Sequence, residues 1–405
     1  MDFETVLKDM MLTPAPSGYE GQMAYKMKSY LGGYCDETYL DRNGNCIGLI
    51  QASTGAAAGD ASGTSGAAIL NDAAVSSGAA VLSDAAVSSD GAVSSGAAIT
   101  RRVMIFAHMD QIGFIVRRVE RDGFLRVERL GGIPEKVLPG AAVSVRGEDG
   151  KWRNGVFGVK SHHAEAAEDK YKVAPITEMY VDVGARNVEE ARGMGIHAGC
   201  PAVYAPSFTR LSGDFVSGTS VDDRGGCAAL VAIAELLKRD RPKCDVYLVG
   251  TVWEEFNLRG AALAARAINP DIAISLDVTL SGDTHDLSGR YDTALGGGAC
   301  VQLYSFHGRG TLNGTLPHEP LFKLVKSAAE KHAIPFQRFA SAGLLTDMAY
   351  LQLEGGGVAC LEMGFPARYT HSPVEVCDIR DIDSLSRLCA AAVADIDINF
   401  QLERY

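Results

Sequence analysis

The sequence lacks the signals of several protein classes. Its nine cysteines include no C-x-x-C pair, which argues against a zinc ribbon, and their odd number and wide spacing argue against a disulfide framework. No run of 18 strongly apolar residues occurs, and the amino terminus places Asp2, Glu4, Lys8 and Asp9 among its apolar residues. Neither a transmembrane helix nor a signal peptide is therefore indicated. We expect a protein of the cytoplasm with reduced, buried thiols.

Basic residues are also in the minority. The 405 residues carry 38 Lys and Arg against 50 Asp and Glu, a net charge of −12. Because nucleic acids and anionic membranes bind basic patches, this balance argues against both as main partners. The sequence also contains no Gly-x-Ser-x-Gly motif, no Walker loop and no dinucleotide-binding fingerprint in a suitable context. A serine hydrolase and a nucleotide-binding protein are therefore not indicated.

Residues 52–100 form a low-complexity insertion. Ala, Ser and Gly account for 33 of these 49 residues, and a 12-residue repeat begins at Gly66 and again at Gly78. The repeat offers almost no bulky side chains whose burial could offset the entropy cost of ordering the chain. We expect a disordered surface insertion, and a partner-binding or adhesive loop is the alternative.

The remaining residues predict an α/β fold with an inserted small domain. Apolar strands alternate with amphipathic helices in residues 1–113 and 206–405, which is typical of a mixed, mostly parallel sheet covered by helices on both faces. Residues 114–205 instead show short alternating strands separated by glycines, which predicts a small β-rich domain.

Five polar clusters lie at the ends of predicted strands or at the start of a helix. Ligands gather at the carboxyl ends of the strands in open sheets of this type, so we expect one common site. The clusters are Ala107–Asp110, Val221–Gly226, Trp253–Glu255, Asp277 and Tyr369–Pro373.

Each cluster has a functional and a structural interpretation. Asp110, two residues after His108, points the same way in an extended chain and can fix the tautomer of His108 for metal binding; a structural histidine is the alternative. Asp222 opens an apolar helix, either as a helix cap or as a rigidly held carboxylate that bridges two ions. His371 on its own is more often structural.

Three further carboxylates, Glu254, Glu255 and Asp277, are candidates for the same site. Glu254 and Glu255 follow a buried strand and point in divergent directions, so one can bind metal while the other faces a reacting water; a solvated loop is the alternative. Asp277 follows five residues that we expect to be buried, so it needs a cation or hydrogen-bond donors as a partner. Together, two histidines and three carboxylates, with one carboxylate to spare, suit two divalent ions about 3.5–4 Å apart that promote hydrolysis.

These motifs, in this order, resemble the M42 family of metallo-aminopeptidases, within the clan of co-catalytic zinc peptidases. The resemblance rests mainly on residues 107–114, 222–227, 251–260 and 368–373, and it covers nearly the whole chain outside residues 52–100. It implies a hydrolase that removes N-terminal residues from short peptides.

The resemblance also implies a role for each site residue. One ion would be held by His108, Asp222 and Asp277, and a second by Asp222, Glu255 and His371, with Asp222 as the bridge. Glu254 would be the general base, and Asp110 would orient His108. The ions would be zinc, or cobalt or manganese. The domain at 114–205 would build a homo-oligomer, commonly a tetrahedral dodecamer in this family.

The sequence departs from the family pattern in three places besides the insertion. Gln111 replaces a common acidic residue, and residues 343–349 read Gly-Leu-Leu-Thr-Asp-Met-Ala where many relatives have Gly-Gly-Thr-Asp-Ala. His162 and His163 belong either to an exposed loop or to the site. Two other functions stay open at this point: an N-acyl amino acid deacylase or amidase of the same clan, and a non-catalytic oligomeric binding protein.

Overall fold

A computed structural model of the chain describes residues 1–53, 100–307 and 314–405. The expected disorder of the insertion therefore falls almost wholly on residues outside the described part. The strands are β1 (Glu37–Leu40), β2 (Cys46–Ile50), β3 (Arg102–His108), β4 (Gly113–Val119), β5 (Leu125–Leu130), β6 (Ala142–Arg146), β7 (Trp152–Phe157), β8 (Val181–Asp182), β9 (Pro201–Tyr204), β10 (Phe208–Arg210), β11 (Phe215–Gly218), β12 (Asp245–Thr251), β13 (Ile272–Leu280), β14 (Ala299–Phe306), β15 (Gly314–Thr315), β16 (Phe336–Ala342), β17 (Ala359–Arg368) and β18 (Glu375–Asp378).

Eight α-helices accompany these strands in the described part of the chain. They are α1 (Phe3–Met11), α2 (Gly21–Gly32), α3 (Val188–Gly193), α4 (Val221–Arg239), α5 (Gly260–Ile268), α6 (Glu319–His332), α7 (Met348–Leu351) and α8 (Ile379–Ala394). Among the residues described, no helix has the length and apolar character needed to cross a bilayer.

Twelve strands form one large mixed sheet, in the order β1-β2-β12-β3-β13-β17-β18-β11-β10, with β14, β15 and β16 joined to it through β17. Its centre is parallel: β3 pairs in parallel with β12 and β13, and β13 with β17. Antiparallel strands flank this centre. Parallel central strands require cover on both faces, which explains their nearly continuous apolar sequences.

Helices cover both faces of the sheet. Along β3, Val103 and Ile105 pack into the larger core, which contains apolar residues of α1, α2, α4, α6 and α8. Met104 and Phe106 point the other way, into a second core with residues of α5 and α7. This alternation follows from the two-residue period of a strand. The predicted α/β class with a helix-covered mixed sheet is confirmed.

A closed six-stranded barrel interrupts the main chain path. Its strands run in the order β4-β5-β8-β7-β6-β9 and lie between Gly113 and Tyr204. Its interior is filled by an apolar core that includes edge-to-face contacts of Phe114 with Phe157 and Tyr204. The barrel is the small β-rich unit that the sequence predicts.

Close packing between α4 and β17 gives a prediction on stability. A Cβ added at Gly225 of α4 would overlap the ring of buried Phe365, whereas one added at Gly32 of α2 would meet no atom within 4 Å. Gly225→Ala should lower the free energy of unfolding by about 1–3 kcal/mol through overpacking. Gly32→Ala should leave it unchanged or raise it by up to about 1 kcal/mol. Urea unfolding at matched protein concentration measures both, and equal values for the two variants would contradict this packing.

Candidate metal centre

The expected site residues meet at one edge of the large sheet. His108 is the last residue of β3, and in the adjacent strand it pairs with Thr251, the last residue of β12. Glu254 and Glu255 follow three and four residues later. Asp277 lies within β13, which continues to Leu280, so it does not end the strand as the sequence pattern predicted. Asp222 is the second residue of α4, where its backbone and that of Asp223 are not yet helical, and His371 follows the end of β17.

His108 points its Nε2 atom at three carboxylates. This atom lies 3.0 Å from Asp222 Oδ1 and 4.0 Å from both Glu254 Oε2 and Asp277 Oδ1. The other ring nitrogen, Nδ1, lies 3.1 Å from the backbone carbonyl oxygen of Asp110 and 3.6 Å from its carboxylate. With Nδ1–H donating to that carbonyl, the lone pair of Nε2 faces the carboxylates, the orientation that a metal ligand needs.

His371 has the same arrangement on the opposite side of Asp222. Its Nε2 atom lies 3.5 Å from Asp222 Oδ2 and 3.4 Å from Glu255 Oε1. Its Nδ1 atom lies 2.5 Å from the carbonyl oxygen of Gly132 in the barrel. The two oxygens of Asp222 therefore face two different histidines.

Three groups of side chains in the described residues are arranged as metal ligands. Within each group, one potential ligand atom per residue lies within 4.8 Å of the others. The groups are His108, Glu254 and Glu255; His108, Asp223 and Asp277; and Asp222, Glu255 and His371. The last is the set that the family resemblance implies for the second ion.

Asp223 is an addition to the expected ligands. Its Oδ1 accepts a hydrogen bond from the backbone N–H of Gly226 at 2.8 Å, so it caps the start of α4. Its Oδ2 is buried without a hydrogen-bond partner. The group of His108 and Asp277 is completed by Asp223, whereas the resemblance implies Asp222 in that place. Asp222 is nevertheless the carboxylate nearest to His108 Nε2. Asp223 is thus a cap that also faces the site.

The carboxylate of Asp110 positions the backbone of Glu254 and Glu255 rather than the ring of His108. It is completely buried, and its carboxylate accepts hydrogen bonds from the backbone N–H groups of Glu254 at 3.0 Å and Glu255 at 3.1 Å. Ser17 donates to the same carboxylate at 2.6 Å. Burial acts to raise the pKa of Asp110, but the adjacent His108 ring and the hydrogen bond from Ser17 outweigh it and lower that pKa. Asp110 thus holds the polypeptide that presents both glutamates.

The site carries more negative charge than its own groups can balance. Burial raises the pKa of Glu254 and Asp277 well above the usual range, and that of Glu255 to about 7. Burial would lower the pKa of His108, but Glu254 and the other surrounding carboxylates raise it well above its usual value. Because burial disfavours the charged form, these carboxylates either take up protons or are offset by cations.

The nearby cation, Arg224, is engaged elsewhere. Its guanidinium is completely buried and donates to the backbone carbonyls of Met10, Thr13, Met109 and Asp110 and to the side chain of Gln111. It ties the end of α1 to the segment that follows β3. The unexpected Gln111 therefore acts as a neutral acceptor for this arginine.

Sequence analysis missed one carboxylate that positions two expected ligands. Glu375, at the start of β18, accepts hydrogen bonds from the backbone N–H of Asp222 at 3.1 Å and of His371 at 2.7 Å. Burial and the charge of Asp222 raise its pKa to about 8. The sequence feature that could have indicated Glu375 is a single glutamate beside an apolar strand, four residues after His371.

The structure also places the two remaining candidate regions. Asp347 lines a cavity of about 10 Å³ together with His108, Glu254 and Asp277, so the 343–349 segment does reach the site. His162 and His163 lie on an exposed turn of the barrel and belong to none of the ligand groups found in the described residues.

The fold and the site define a class of α/β proteins with a helix-covered mixed sheet and a two-histidine, multi-carboxylate centre, and comparison with known proteins agrees. The sequence profile of the M42 glutamyl aminopeptidase family matches residues 91–388. Lysyl aminopeptidase of Pyrococcus furiosus is 34% identical over 297 residues, covering 73% of this chain and 82% of the relative.

Two solved structures extend the match to nearly the full chain. An aminopeptidase of the archaeon Desulfurococcus kamchatkensis superimposes with a TM-score of 0.81 at 31% identity, covering 98% of this chain and 95% of that one. The TET1 peptidase of Pyrococcus horikoshii, which can assemble into a tetrahedron or a large octahedral shell, gives 0.76 at 26% identity, with 98% and 100% covered. The chain belongs to the M42 glutamyl aminopeptidase family, and it is an aminopeptidase.

The contacts of Glu375 generate a prediction on metal affinity. Glu375→Gln weakens an acceptor that holds both Asp222 and His371, so the variant should bind its more weakly held ion about 10- to 100-fold less tightly. Isothermal titration with Zn²⁺ measures this.

The matched control for Glu375→Gln is Asp381→Asn. Asp381 is also a buried carboxylate that accepts two backbone N–H groups, those of Gly296 and Gly298, but it lies outside the ligand groups. Equal zinc affinity in the two variants would show that Glu375 has no positioning role.

Proposed function

We propose that this aminopeptidase is a dinuclear metal enzyme that releases N-terminal residues from short peptides. The single observation that carries the proposal is the position of Asp222, whose two oxygens lie 3.0 and 3.5 Å from the Nε2 atoms of His108 and His371. A carboxylate placed between two correctly oriented histidines is the arrangement needed to bridge two ions.

The donor set fits two divalent ions of intermediate hardness. We infer that His108, Asp222 and Asp277 hold one ion, and Asp222, Glu255 and His371 the other. Imidazole nitrogens and carboxylate oxygens suit Zn²⁺, and Co²⁺ or Mn²⁺ are compatible with the same ligands. The excess of buried carboxylates described above supports a site built for cations.

Glu254 is the general base in this proposal. When bound, the ions polarise the peptide carbonyl and lower the pKa of the attacking water. Glu254 takes a proton from that water and delivers it to the leaving amine. Its place supports this role: Glu254 Oε2 lies 4.0 Å from His108 Nε2, and Asp110 fixes its backbone. Asp110 and Glu375 position the residues around it.

We further propose that the chain works as a homo-oligomer in the cytoplasm, with residues 114–205 as the oligomerisation domain. The relative from P. horikoshii forms closed shells, and a tetrahedral dodecamer is the form we expect here. All nine cysteines are free, and eight of them are buried, as befits a reducing compartment. Native mass spectrometry tests the assembly.

Metal removal tests the catalytic proposal. Dialysis against a chelator should abolish release of amino acids from short peptides with a free amino terminus, and Zn²⁺ or Co²⁺ should restore it. Full activity in protein shown by elemental analysis to be metal-free would overturn the proposal. An N-acetylated copy of the same peptide is the control substrate, and its preferred hydrolysis would indicate a deacylase instead.

Two substitutions separate catalysis from metal binding. Glu254→Gln removes the base and keeps the ligands, so kcat should fall at least about 100-fold while the protein still binds two ions. Asp222→Ala removes the bridge, so it should lose metal as well as activity. Peptide hydrolysis and metal content are measured side by side; wild-type turnover in Glu254→Gln would exclude its role as the base.

A further inference from the structure

We propose that Gly131 and Gly132, in the barrel segment between β5 and β6, are positioning residues for one half of the metal centre, the half formed by His371 and Glu255. The inference rests on the proposed function, because it concerns how a metal site is held. The barrel would thereby contribute to the chemistry as well as to assembly.

The first argument is the hydrogen bond of the His371 ring. Its Nδ1 atom lies 2.5 Å from the carbonyl oxygen of Gly132, 239 residues away in the chain. A carbonyl only accepts, so Nδ1 carries a proton, and Nε2, which faces Asp222 and Glu255, is the nitrogen left for a metal ion. The Gly132 carbonyl thus selects the tautomer of His371 that binds metal.

The second argument is the lack of space for side chains. A Cβ on Gly132 would lie 3.2 Å from His371 Nδ1. A Cβ on Gly131 would lie 2.8 Å from the Cγ2 atom of Ile112 and 3.1 Å from Glu255 Oε2. Gly131 also has φ +96°, a conformation that residues with a side chain rarely adopt. Any side chain here would displace His371 or Glu255.

The third argument is that the barrel fixes the position of this carbonyl. The next residue, Ile133, is 1% exposed and packs in the barrel core. Its carbonyl oxygen accepts a hydrogen bond from Arg129 at 3.0 Å, and Arg129 also pairs with Glu135 at 3.2 Å. The segment is therefore held on both sides of Gly132, which makes its carbonyl a rigid acceptor.

His371 depends on such an external support because its own segment is conformationally strained. Tyr369 and His371 have φ values of +59° and +62°, in the left-handed region that favours glycine. Glu375 holds the backbone of His371, and Gly132 holds its ring. The two contacts come from different parts of the fold and together fix the direction of Nε2.

Two matched pairs of variants in the full-length protein test the inference. Gly132→Ala is compared with Gly193→Ala; neither glycine has a positive φ, and the Cβ added at Gly193 meets nothing within 4 Å. Gly131→Ala is compared with Gly140→Ala; both have positive φ, +96° and +83°, but the Cβ added at Gly140 meets nothing within 4 Å. Each pair separates the effect of replacing a glycine by alanine from the effect of contact between the new Cβ and the residues of the site.

The main readout is metal binding without substrate. Zn²⁺ per chain is measured across a series of metal buffers, and the visible spectrum of the Co²⁺ form is recorded, with His371→Ala as the reference for loss of this half. Wild type and both controls should bind two ions. Gly131→Ala and Gly132→Ala should keep one ion at wild-type affinity and bind the other about 10- to 100-fold more weakly. Their residual Co²⁺ spectrum should match that of His371→Ala.

The outcomes distinguish the two proposals. If wild type binds fewer than two ions, the dinuclear function fails. If wild type binds two and both test variants bind them as their controls do, the function stands and the positioning role is overturned.

A wild-type measurement covers the case in which the test variants do not fold. The ¹⁵N spectrum of histidine-labelled wild type, assigned with His371→Ala, should show protonation at Nδ1. In the zinc-loaded protein, a His371 ring that carries its proton on Nε2 and none on Nδ1 would overturn the inference.

Discussion

The structure depends on the confinement of carboxylates to a buried sheet edge. Asp222, Asp277, Glu254 and Glu255 converge there with two histidines, where water reaches their charge only in part. Such carboxylates either take up protons or are offset by cations. Because Arg224 makes its hydrogen bonds to backbone carbonyls and Gln111, it does not supply that cation, which supports our proposal that bound metal does.

The same constraint explains the arrangement of the backbone around the ligands. Of the eight non-glycine residues with positive φ in the described part of the chain, six are a proposed ligand or lie within three residues of one: Ser220, Trp253, Asn257, Leu258, Tyr369 and His371. Residues in this conformation persist where surrounding contacts hold them. In the same segments, Asp110 and Glu375 accept hydrogen bonds from the backbone N–H groups of Glu254, Glu255, Asp222 and His371. The proposed ligands are therefore positioned by two carboxylates that lie outside the proposed ligand set.

Much of the fold and of the candidate site could be predicted from the sequence, and the site residues that escaped prediction did so for a common physical reason. Apolar runs predicted the central strands, and residues following those runs predicted His108 and the glutamate pair, because strand ends are local features. Glu375 and Gly132 escaped prediction because their roles are contacts across 153 and 239 residues. The sequence pattern placed Asp110 beside His108 but could not show which of its groups makes the contact. In the structure the backbone carbonyl of Asp110 contacts the His108 ring, and its carboxylate contacts the backbone of the two glutamates.

The two flanks of residues 52–100 lie at the amino ends of the parallel strands. Asp245, the first residue of β12, accepts hydrogen bonds from the backbone N–H of Ala52 at 2.8 Å and the hydroxyl of Thr100 at 2.9 Å. One carboxylate thus holds both flanks at the amino ends of β12 and β3. The proposed ligands lie at the carboxyl ends, and the seven residues of β3 separate the two edges by about 20 Å. The cost of closing a loop grows only slowly with its length, so the long separation of Ala52 and Thr100 along the chain is compatible with their common contact to Asp245.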